Sequence, residues 1–513
     1  MKYFLVRVFV ICYKFLMEKQ SGIALKDLLG DSLRSYNLRD IDILEGVRAF
    51  SRNDTVVDTS GYFSKNIKLH IPLVTAPMPD VTDEHIAIIA ARNGALGIIP
   101  MTYEADEQAE IIRRVKAVEG GFIEHPFTLS PRDTLKRALC APFSNIPIID
   151  SGKLVGMFVR QKYGEYYYAS RLEKSLDTVM EKDLARIAVE RNHVTAEGIL
   201  NFRRAQALMQ ERMIPVLAVM NTAEQLLALV TMKDVASNET HHQKATRDRK
   251  NRLVVGAAVF EYMTDDNLSR IQKLVDAKVD VLVIEQAHAW NEDTGRMTRY
   301  LKKTYPHIDM VVGNDSVREA VRFHRTNGAD GIKIGQGPGS ACLTGEEDVV
   351  GIWRPQLSAI YDCAETAFMI AKESDKEPIP CNADGGIQTA YDAFKALAAG
   401  AQTIMVGKLV AQCKDSPAKE TEPGKKMFRA MGSPEIARTH ASASKRYNLS
   451  GFVAEGTTLS VTVTGSLEEF LKGFHAKLQR IFERAGARNI AELHEKLRDC
   501  SLRAQHAHNR HSR

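Results

Sequence analysis

The chain alternates short apolar runs with stretches of helical periodicity, and this alternation restricts the fold more than any other feature. The apolar runs predict buried strands at Leu253–Val259, Val279–Ile284, Met310–Val312, Gly331–Ile334, Ile379–Ala383 and Thr403–Val406. Between them, helical periodicity predicts helices over Asp266–Ala277, Ser316–Thr326, Gln356–Ile370 and Ala390–Ala399. A regular strand-then-helix order indicates parallel strands that are joined by crossover helices.

The number of strand–helix units favours a closed sheet. Two earlier strands, Ile71–Ala76 and Ala95–Ile99, flank a predicted helix near Asp83–Asn93. The total is about eight units, which is the number that closes a (β/α)8 barrel. No Gly-x-Gly-x-x-Gly motif opens a helix near the first strand, so an open dinucleotide-binding sheet is disfavoured. We therefore predict an α/β fold built on a (β/α)8 TIM barrel.

The alternation stops between about Phe122 and Ala236, where a different pattern occurs twice. The run Asn145–Ile149 is echoed by Met213–Leu217, 68 residues later. Each copy follows a short helical stretch and precedes a second apolar strand: Thr134–Leu139 and Leu154–Val159 in the first copy, Phe202–Gln210 and Leu226–Val230 in the second. Two copies predict a paired module with a cleft between its halves. The basic segment His241–Arg252 predicts a solvated linker back to the barrel, with nucleic-acid contact as the alternative.

Composition narrows the class of protein. The net charge of +5 over 513 residues is too small for a dedicated nucleic-acid site. Seven cysteines without a Cys-x-x-Cys pair favour a reducing, cytoplasmic compartment over a disulfide scaffold. Residues 1–17 are apolar but interrupted by Arg7 and Lys14, and too short for a confident membrane span. They form either an amphipathic extension or an artefact of start-codon choice. The C-terminus resembles a peroxisomal signal only loosely, which leaves a glycosomal or peroxisomal location as an alternative.

These patterns predict the domain organisation. The expected segments are an N-terminal extension over 1–24, a first barrel part over 25–119, the paired module over 120–240, a second barrel part over 241–500 and a polar tail over 501–513.

A glycine-rich loop directly after the predicted strand Gly331–Ile334 is the most informative stretch. It reads GQGPGSACLTG from Gly335 to Gly345, at a strand end of the kind that carries active sites in barrels. Backbone N–H groups at its glycines and the Ser340 hydroxyl predict a phosphate cradle. Cys342 lies on the same loop, where positive potential favours the thiolate, so it is a candidate nucleophile. The alternative is a small buried apolar side chain.

Two more strand ends indicate the same pocket. The sequence Asn382-Ala-Asp-Gly-Gly386 places the Asp384 carboxylate where it could hold a ribose diol. Gly407 and Lys408 follow the last predicted strand, where barrels commonly build phosphate sites. The alternative for each is a tight turn, with Asp384 as a helix N-cap. Three glycine-bearing turns at barrel strand ends favour one shared site.

The motif Gly-x-Gly-x-Gly-Ser-x-Cys-x-Thr, followed by Arg354-Pro-Gln356, Ala383-Asp-Gly-Gly386 and Met431-Gly-Ser433, resembles the IMP dehydrogenase/GMP reductase family. The repeated insertion resembles the cystathionine-β-synthase (CBS) domain pair, or Bateman domain, of that family. The likeness covers nearly all of residues 25–500. It implies a barrel with an inserted nucleotide-sensing pair, assembled as homotetramers or octamers, with GMP or IMP as substrate and ATP, GTP or GDP as regulators at the CBS pair. From the charge and the short apolar N-terminus, we expect no membrane partner and no dedicated nucleic-acid site.

The resemblance also implies roles for individual residues. Cys342 would attack purine C2 to form a covalent thioimidate, and Thr344 and Glu455 would relay protons at that centre. The nucleotide would be held by Ala76, Met78, Asn314, Gly339, Ser340, Asp384, Gly385, Gly386, Gly407, Lys408, Met431 and Gly432. The nicotinamide cofactor would lie against Glu285, Gln286 and Gly335. The backbone carbonyls of Gly337, Gly339 and Cys342 would hold K⁺.

The two branches of the family differ at the final step on C2. Dehydrogenases admit a water that is activated by an Arg-Tyr pair on a flap, and Arg446-Tyr447 resembles that pair. Only eight positions separate Tyr447 from Glu455, which is a shorter reach than dehydrogenases usually have. The flap resemblance thus favours IMP dehydrogenase with NAD, and the spacing argues against it.

Other positions resemble the reductases. Gln356-Leu-Ser-Ala359 is similar to the reductase sequence, Phe428 replaces a phosphate-binding tyrosine, and Lys408 replaces a common serine. The dehydrogenase Asp-Ser-Ser turn is here Glu285-Gln-Ala287. This combination resembles the GMP reductases of kinetoplastid parasites, so we favour NADPH-dependent GMP reductase. IMP dehydrogenase is the first alternative, and a non-catalytic nucleotide-binding regulator is the second.

Overall fold

A computed structural model describes the chain over residues 23–30, 34–46, 56–118, 123, 126–160, 171–196, 199–200, 202–232, 244–439 and 453–507. Two compact units make up the protein. The first comprises residues 1–113 and 255–513, and the second comprises residues 114–254. Residues 1–22 of the predicted extension over 1–24, and the flap pair Arg446-Tyr447, lie outside the described residues. In the described part of the chain, no helix is both long and apolar enough to cross a membrane.

Eight parallel strands close into a barrel in the first unit. In chain order they are β1 (Leu73–Thr75), β2 (Leu96–Ile99), β3 (Gly256–Val259), β4 (Val281–Glu285), β5 (Asp309–Asp315), β6 (Gly331–Ile334), β7 (Cys381–Asp384) and β8 (Thr403–Val406). The strand β2 pairs in parallel with β3 across the insertion, and β8 pairs in parallel with β1 to close the sheet. The predicted (β/α)8 barrel is confirmed.

Each strand is followed along the chain by a helix. These helices are α1 (Glu84–Arg92), α2 (Ala105–Ala117), α3 (Asp265–Asp276), α4 (Glu292–Thr304), α5 (Arg318–Thr326), α6 (Gln356–Ser374), α7 (Ala390–Ala398) and α8 (Leu467–Ala485). Side-chain caps fix several of their first residues: Asp83 caps α1, Thr389 caps α7, and Ser466 forms a capping box with Glu469 on α8. Because the caps fix where these helices begin, they also limit the length of the loops after β1 and β7.

A hairpin closes the N-terminal mouth of the barrel. Its strands are Gly61–Ser64 and Ile67–Leu69, and the Phe63 side chain is fully buried. The Phe63 carbonyl accepts a hydrogen bond from Asn382 Nδ2 at 2.9 Å, and Ser64 Oγ donates to Asp309 Oδ2 at 2.6 Å. The barrel is therefore plugged at this end, which leaves the C-terminal ends of its strands for a site.

Shorter elements complete the described part of the first unit. They are the strands Ile23–Ala24, Ile41–Ile43, Glu420–Glu422, Lys425–Arg429, Thr458–Thr462 and Arg503–His506, and the helices Leu25–Leu29, Lys408–Ala411, Pro434–Thr439 and Ile490–Arg498. Within the segment 501–513, predicted as a polar tail, the strand Arg503–His506 is instead the central strand of a three-stranded sheet. The reason is that Leu502 and Ala504 are buried and the backbone pairs on both sides.

The second unit contains two hairpins that correspond to the two sequence copies. They are Asn145–Asp150 with Lys153–Val159, and Val216–Met220 with Leu226–Thr231. The other elements among the described residues of this unit are the strands Ala188–Glu190, Thr195–Ala196 and Ile199–Leu200, the helices Leu135–Cys140, Leu184–Ile187 and Phe202–Glu211, and the 3₁₀ turns Leu176–Thr178 and Arg191–Val194. An apolar cluster joins Leu154 and Met157 of the first copy to Val216, Ala218 and Leu229 of the second. The copies pack together, and their identity as a CBS pair stays a prediction.

The second unit is wider than the segment 120–240 expected from the sequence. The Nζ of Lys116, near the end of α2, lies 2.9 Å from Asp248 Oδ2. It also donates to the Leu253 carbonyl at 2.9 Å. Arg252 Nη2 also lies 2.9 Å from Asp248 Oδ2. The described part of the predicted linker is therefore a turn held to α2 by one largely buried ion pair.

Candidate active site

An open cleft lies where the barrel strands end. It is lined by all the predicted site residues that the structure describes: Ala76, Met78, Glu285, Gln286, Asn314, Gly335, Gly337, Gly339, Ser340, Cys342, Thr344, Asp384, Gly385, Gly386, Gly407, Lys408, Met431, Gly432 and Glu455. These residues come from eight separate stretches of chain, and the barrel topology brings the strand ends among them to one mouth.

The cysteine loop is held against the segment around Glu455 by backbone hydrogen bonds. The Leu343 N–H donates to the Glu455 carbonyl at 2.8 Å, and the Thr457 N–H donates to the Ala341 carbonyl at 2.9 Å. Cys342 itself is bridged to Gly456 in an antiparallel pair. This short ladder fixes the carboxylate of Glu455 beside a loop that lies more than 100 positions earlier in the chain.

Three side chains form a directed line of hydrogen bonds in the cleft. The Cys342 thiol donates to Thr344 Oγ1 at 3.2 Å, and the Thr344 hydroxyl donates to Glu455 Oε2 at 2.9 Å. All three residues are partly exposed to the cleft. A hydroxyl that accepts from a thiol and donates to a carboxylate can pass a proton between them, so the arrangement suits nucleophilic attack with proton relay.

Two glycines permit the close approach of the segments around this line. A Cβ on Gly335 would lie 2.0 Å from the Asp384 carbonyl oxygen, and the φ of Gly335 is +145°. A Cβ on Gly456 would lie 2.4 Å from the Ala430 Cβ. Any larger residue at either position would push the cysteine loop or the Glu455 segment away from its neighbour.

The far end of the cysteine loop is clamped to α6. Arg354 and Arg318 both pair with the Asp362 carboxylate, and Arg354 Nη1 also donates to the Ser316 carbonyl at 3.2 Å. The Gln356 Nε2 donates to the carbonyls of both Ile334 and Asp384 at 2.9 Å. The motif Arg354-Pro-Gln356 therefore ties the loop to the ends of β6 and β7.

A polar network forms the floor of the cleft. The Lys333 Nζ lies 2.7 Å from Asp384 Oδ2 and 2.9 Å from Glu285 Oε2, and it donates to Asn314 Oδ1. Asn314 Nδ2 donates to the Gly335 carbonyl at 2.6 Å and to Asp384 Oδ2 at 3.0 Å. Residues at the ends of four neighbouring strands, β4 to β7, are thereby connected.

The opposite wall is apolar and braced by an ion pair. Met78 packs against Met431, and Phe428 lines the cleft beside Gly407. Behind them, Arg429 Nε donates to Asp80 Oδ2 at 2.9 Å, and its backbone N–H donates to the same oxygen at 2.9 Å. Asp80 is almost fully buried, so this pair joins the loop after β1 to the strand that precedes Met431.

Comparison with known proteins identifies the protein family to which the chain belongs. Residues 40–511 match the model of the IMP dehydrogenase / GMP reductase domain. The chain belongs to the IMP dehydrogenase/GMP reductase family. This family member is an oxidoreductase of purine nucleotide metabolism, and the family uses a nicotinamide cofactor.

Its relatives come from both branches of the family. It is 34% identical over 451 residues to inosine-5'-monophosphate dehydrogenase of Aquifex aeolicus, covering 86% of this chain and 88% of the relative. It is 33% identical over 470 residues to the enzyme of the same name from Bacillus subtilis, covering 88% and 91%. Among solved structures, a cysteine-to-alanine variant of Trypanosoma brucei GMP reductase in complex with guanosine 5'-monophosphate has a TM-score of 0.76 and 27% identity. That match covers 94% of this chain and 97% of the other.

The cofactor expected for this family fits one side of the cleft. Glu285 and Gln286 line it at the end of β4, each with less than a tenth of its surface exposed. A carboxylate and an amide at a strand end offer acceptors and a donor for a carboxamide and for ribose hydroxyls. The roles of these residues and of Gly335 stay predictions.

The predicted K⁺ site is a set of backbone carbonyls on the cysteine loop. The Gly339 carbonyl accepts the Cys342 N–H at 3.0 Å, and a carbonyl with two lone pairs keeps one for a cation. The ligands Gly337, Gly339 and Cys342 therefore stay a prediction. Among the described residues, no group of three His, Cys, Asp or Glu side chains could hold a metal ion.

Sequence reasoning missed some residues of the site in this family member. Gln336, Pro338, Ile387 and Ala430 line the cleft without having been singled out. Lys333 was missed as well, although a lysine inside the apolar run Gly331–Ile334 is itself a signal. A charged residue in a buried strand needs a counter-charge, which a search of neighbouring strand ends would have found.

Proposed function

We propose that this chain is an NADPH-dependent GMP reductase, of the type found in kinetoplastids, that converts GMP to IMP and ammonia. The observation that carries the proposal is the line from Cys342 through Thr344 to Glu455. Reductive deamination needs a nucleophile for purine C2 and a proton for the departing amine at one centre. These three side chains supply both.

In the proposed reaction, the Cys342 thiol gives its proton to the Thr344–Glu455 pair and its sulfur forms a bond to C2 of GMP. The same pair returns a proton to the C2 amino group, and the C2–N bond breaks with release of ammonia. A thioimidate remains on Cys342. NADPH supplies the hydride that reduces C2. The C2–S bond then breaks and IMP leaves. The balance is GMP, NADPH and two protons to IMP, NADP⁺ and ammonium.

Other residues hold the nucleotide in this proposal. Asp384 accepts hydrogen bonds from the ribose hydroxyls. The backbone around Gly385, Gly386 and Gly407, with the Ser340 hydroxyl and the Lys408 ammonium, binds the phosphate. Ala76, Met78 and Met431 pack against the purine, and Gly339 and Gly432 allow close approach. Asn314 orients Asp384, because it donates to Oδ2 at 3.0 Å. Glu285, Gln286 and Gly335 receive the cofactor.

The likeness to the Trypanosoma brucei GMP reductase with bound GMP supports the reductase, since it extends over 94% of the chain. The short spacing between Tyr447 and Glu455 also supports it. A second candidate, NAD-dependent IMP dehydrogenase, is favoured by the names of the relatives at 33–34% identity. In that case the same Cys342 adduct would be resolved by water, with XMP as product.

A nicotinamide absorbance assay distinguishes the candidates. With GMP and NADPH the absorbance of the purified protein should fall, and with IMP and NAD it should not change. Ammonia release should equal NADPH consumed, because each C2–N bond that breaks is matched by one hydride. A rise in absorbance with IMP and NAD instead would assign the dehydrogenase, and no change in either mixture would support a non-catalytic regulator.

We also propose that the second unit is a CBS pair that binds purine nucleotides beside Ile146-Pro147 and Ile214-Pro215. Supporting this are the packing of the two copies and the likeness, over 93% of the chain, to a Trypanosoma brucei GMP reductase in complex with guanosine 5'-triphosphate. The family resemblance also supports a homotetramer or octamer and a cytoplasmic location.

Nucleotide binding at this unit predicts a thermal shift that does not depend on catalysis. ATP, GTP or GDP at 100 times its dissociation constant should stabilise the protein by about 2.7 kcal/mol. The upward shift in Tm should persist in the Cys342→Ala variant, because that thiol lies in the other unit. A Tm that no purine triphosphate or diphosphate raises would contradict the sensing role.

A further inference from the structure

Lys333 is the third of the four residues of β6, and its side chain has no exposed surface. It does not line the cleft, but Glu285, Asn314 and Asp384, which contact its Nζ, all do. Lys333 therefore lies one layer beneath the site. Whatever it contributes to ligand binding must act through those neighbours.

One of the two carboxylate oxygens of Asp384, Oδ2, is held by the polar network. Oδ2 lies 2.7 Å from the Lys333 Nζ and accepts from Asn314 Nδ2 at 3.0 Å, so it faces the interior. The Asp384 side chain as a whole keeps 21% of its surface exposed. With Oδ2 held from two sides, the carboxylate has one fixed orientation toward the cleft.

The Lys333 ammonium also contacts Glu285, on the side of the cleft that is predicted to receive the cofactor. Its Nζ lies 2.9 Å from Oε2 of Glu285, whose side chain is only 10% exposed. Burial alone would lower the pKa of Lys333, but the carboxylates of Asp384 and Glu285 outweigh burial and hold that pKa above its ordinary value. The ammonium of Lys333 is thus the shared counter-charge of the two carboxylates, and removing it would leave both without that partner.

We propose that Lys333 is a positioning residue that fixes the nucleotide-side carboxylate of Asp384 and the cofactor-side carboxylate of Glu285 together, so that binding of both ligands depends on it. The inference rests on the proposed function only in naming Asp384 as a nucleotide contact and Glu285 as a cofactor contact. It extends that function by making one buried side chain common to both halves of the cleft.

The primary test is Lys333→Met, which keeps an apolar stem and removes the charge. Without the cation, the two carboxylates lose their shared counter-charge and repel each other, and Asp384 loses the contact that fixes its orientation. We expect nucleotide binding, measured by calorimetry without cofactor, to weaken by at least about tenfold. The KM for the cofactor should rise by a similar factor.

A second variant separates this role from general stability. In Lys333→Met/Glu285→Gln the repulsion is relieved, so nucleotide binding should recover by about threefold or more relative to Lys333→Met, while the cofactor KM stays high. Lys395→Met is the matched control. Lys395 is also buried, and it pairs with Asp392 on α7 outside the cleft. That control should lower Tm without changing ligand affinity.

Titrations with both GMP and IMP, and assays with both NADPH and NAD, keep this test separate from the choice of reaction. If the protein proves to be a dehydrogenase, the same losses are expected with IMP and NAD. Wild-type affinity in Lys333→Met would overturn the inference. If Lys333→Met does not fold, the double variant is compared with Glu285→Gln. A nucleotide affinity about threefold weaker or more supports the role, and equal affinity overturns it.

Discussion

Replacing Cys342 by alanine should lower kcat by at least about 1,000-fold while the protein still binds GMP. Among the described residues that line the cleft, Cys342 is the one whose thiol is hydrogen-bonded toward a carboxylate that can accept its proton. The thiol donates to Thr344 Oγ1 at 3.2 Å, and Thr344 donates to Glu455. Without sulfur no bond to C2 can form. Steady-state assays measure kcat, and calorimetry with GMP measures binding.

Selective alkylation gives an independent measurement at the same residue. Burial raises the pKa of Cys363 well above its ordinary value, that of Cys381 to about 12 and that of Cys413 to about 11, so these three stay protonated and unreactive at neutral pH. Cys342 is partly exposed in the cleft. Iodoacetamide should therefore label the peptide containing Cys342 before those three, and saturating GMP should protect it.

The matched control for Cys342→Ala is Cys140→Ser, which changes an exposed thiol in the second unit. This variant should keep wild-type kcat, because nothing in the cleft changes. Retention of more than about a tenth of kcat in Cys342→Ala would show that turnover does not need covalent attachment. The cleft would then have to activate C2 by binding alone.

The barrel could be predicted from the sequence because its strands are buried on both faces. The structure buries all five residues of β4, and in the sequence this strand shows as the apolar run Val281–Ile284 between Asp280 and Glu285. Some of the helices could be predicted from the sequence and others could not. The helix α4 was missed because polar and charged residues dominate Glu292–Thr304, and only a few of its positions, such as Met297 and Leu301, are apolar and buried.

Some parts of the candidate site could be predicted from local sequence, and others could not. The glycine loop with Cys342 is contiguous, so its chemistry could be inferred from local sequence. Glu455 could be connected to it only through the family resemblance, because the contact arises from a backbone ladder between distant segments. Lys333 was missed for a related reason: its partners Glu285 and Asp384 are each about 50 positions away, and only the strand order places them beside it.

The second large effect is expected at the proton relay. Glu455→Gln keeps the shape of the side chain but removes the acceptor charge, so it should lower kcat by about 100-fold or more. The KM for GMP should change little, because Glu455 acts on the proton and not on the ribose or phosphate. Glu347→Gln is the control, since Glu347 is exposed on the same loop and contributes no side chain to the cleft lining.

Thr344→Val tests whether Thr344 and Glu455 act in series. The Thr344 hydroxyl lies between the thiol and the carboxylate, at 3.2 Å and 2.9 Å, so either variant interrupts the same path. The double variant should then be no slower than the slower single variant within about threefold. With deuterated NADPH, the primary isotope effect should fall toward one in both variants, because loss of ammonia becomes slower than hydride transfer. Effects on kcat that multiply in the double variant would instead give the two residues separate roles, with Glu455 reaching the amine without the hydroxyl.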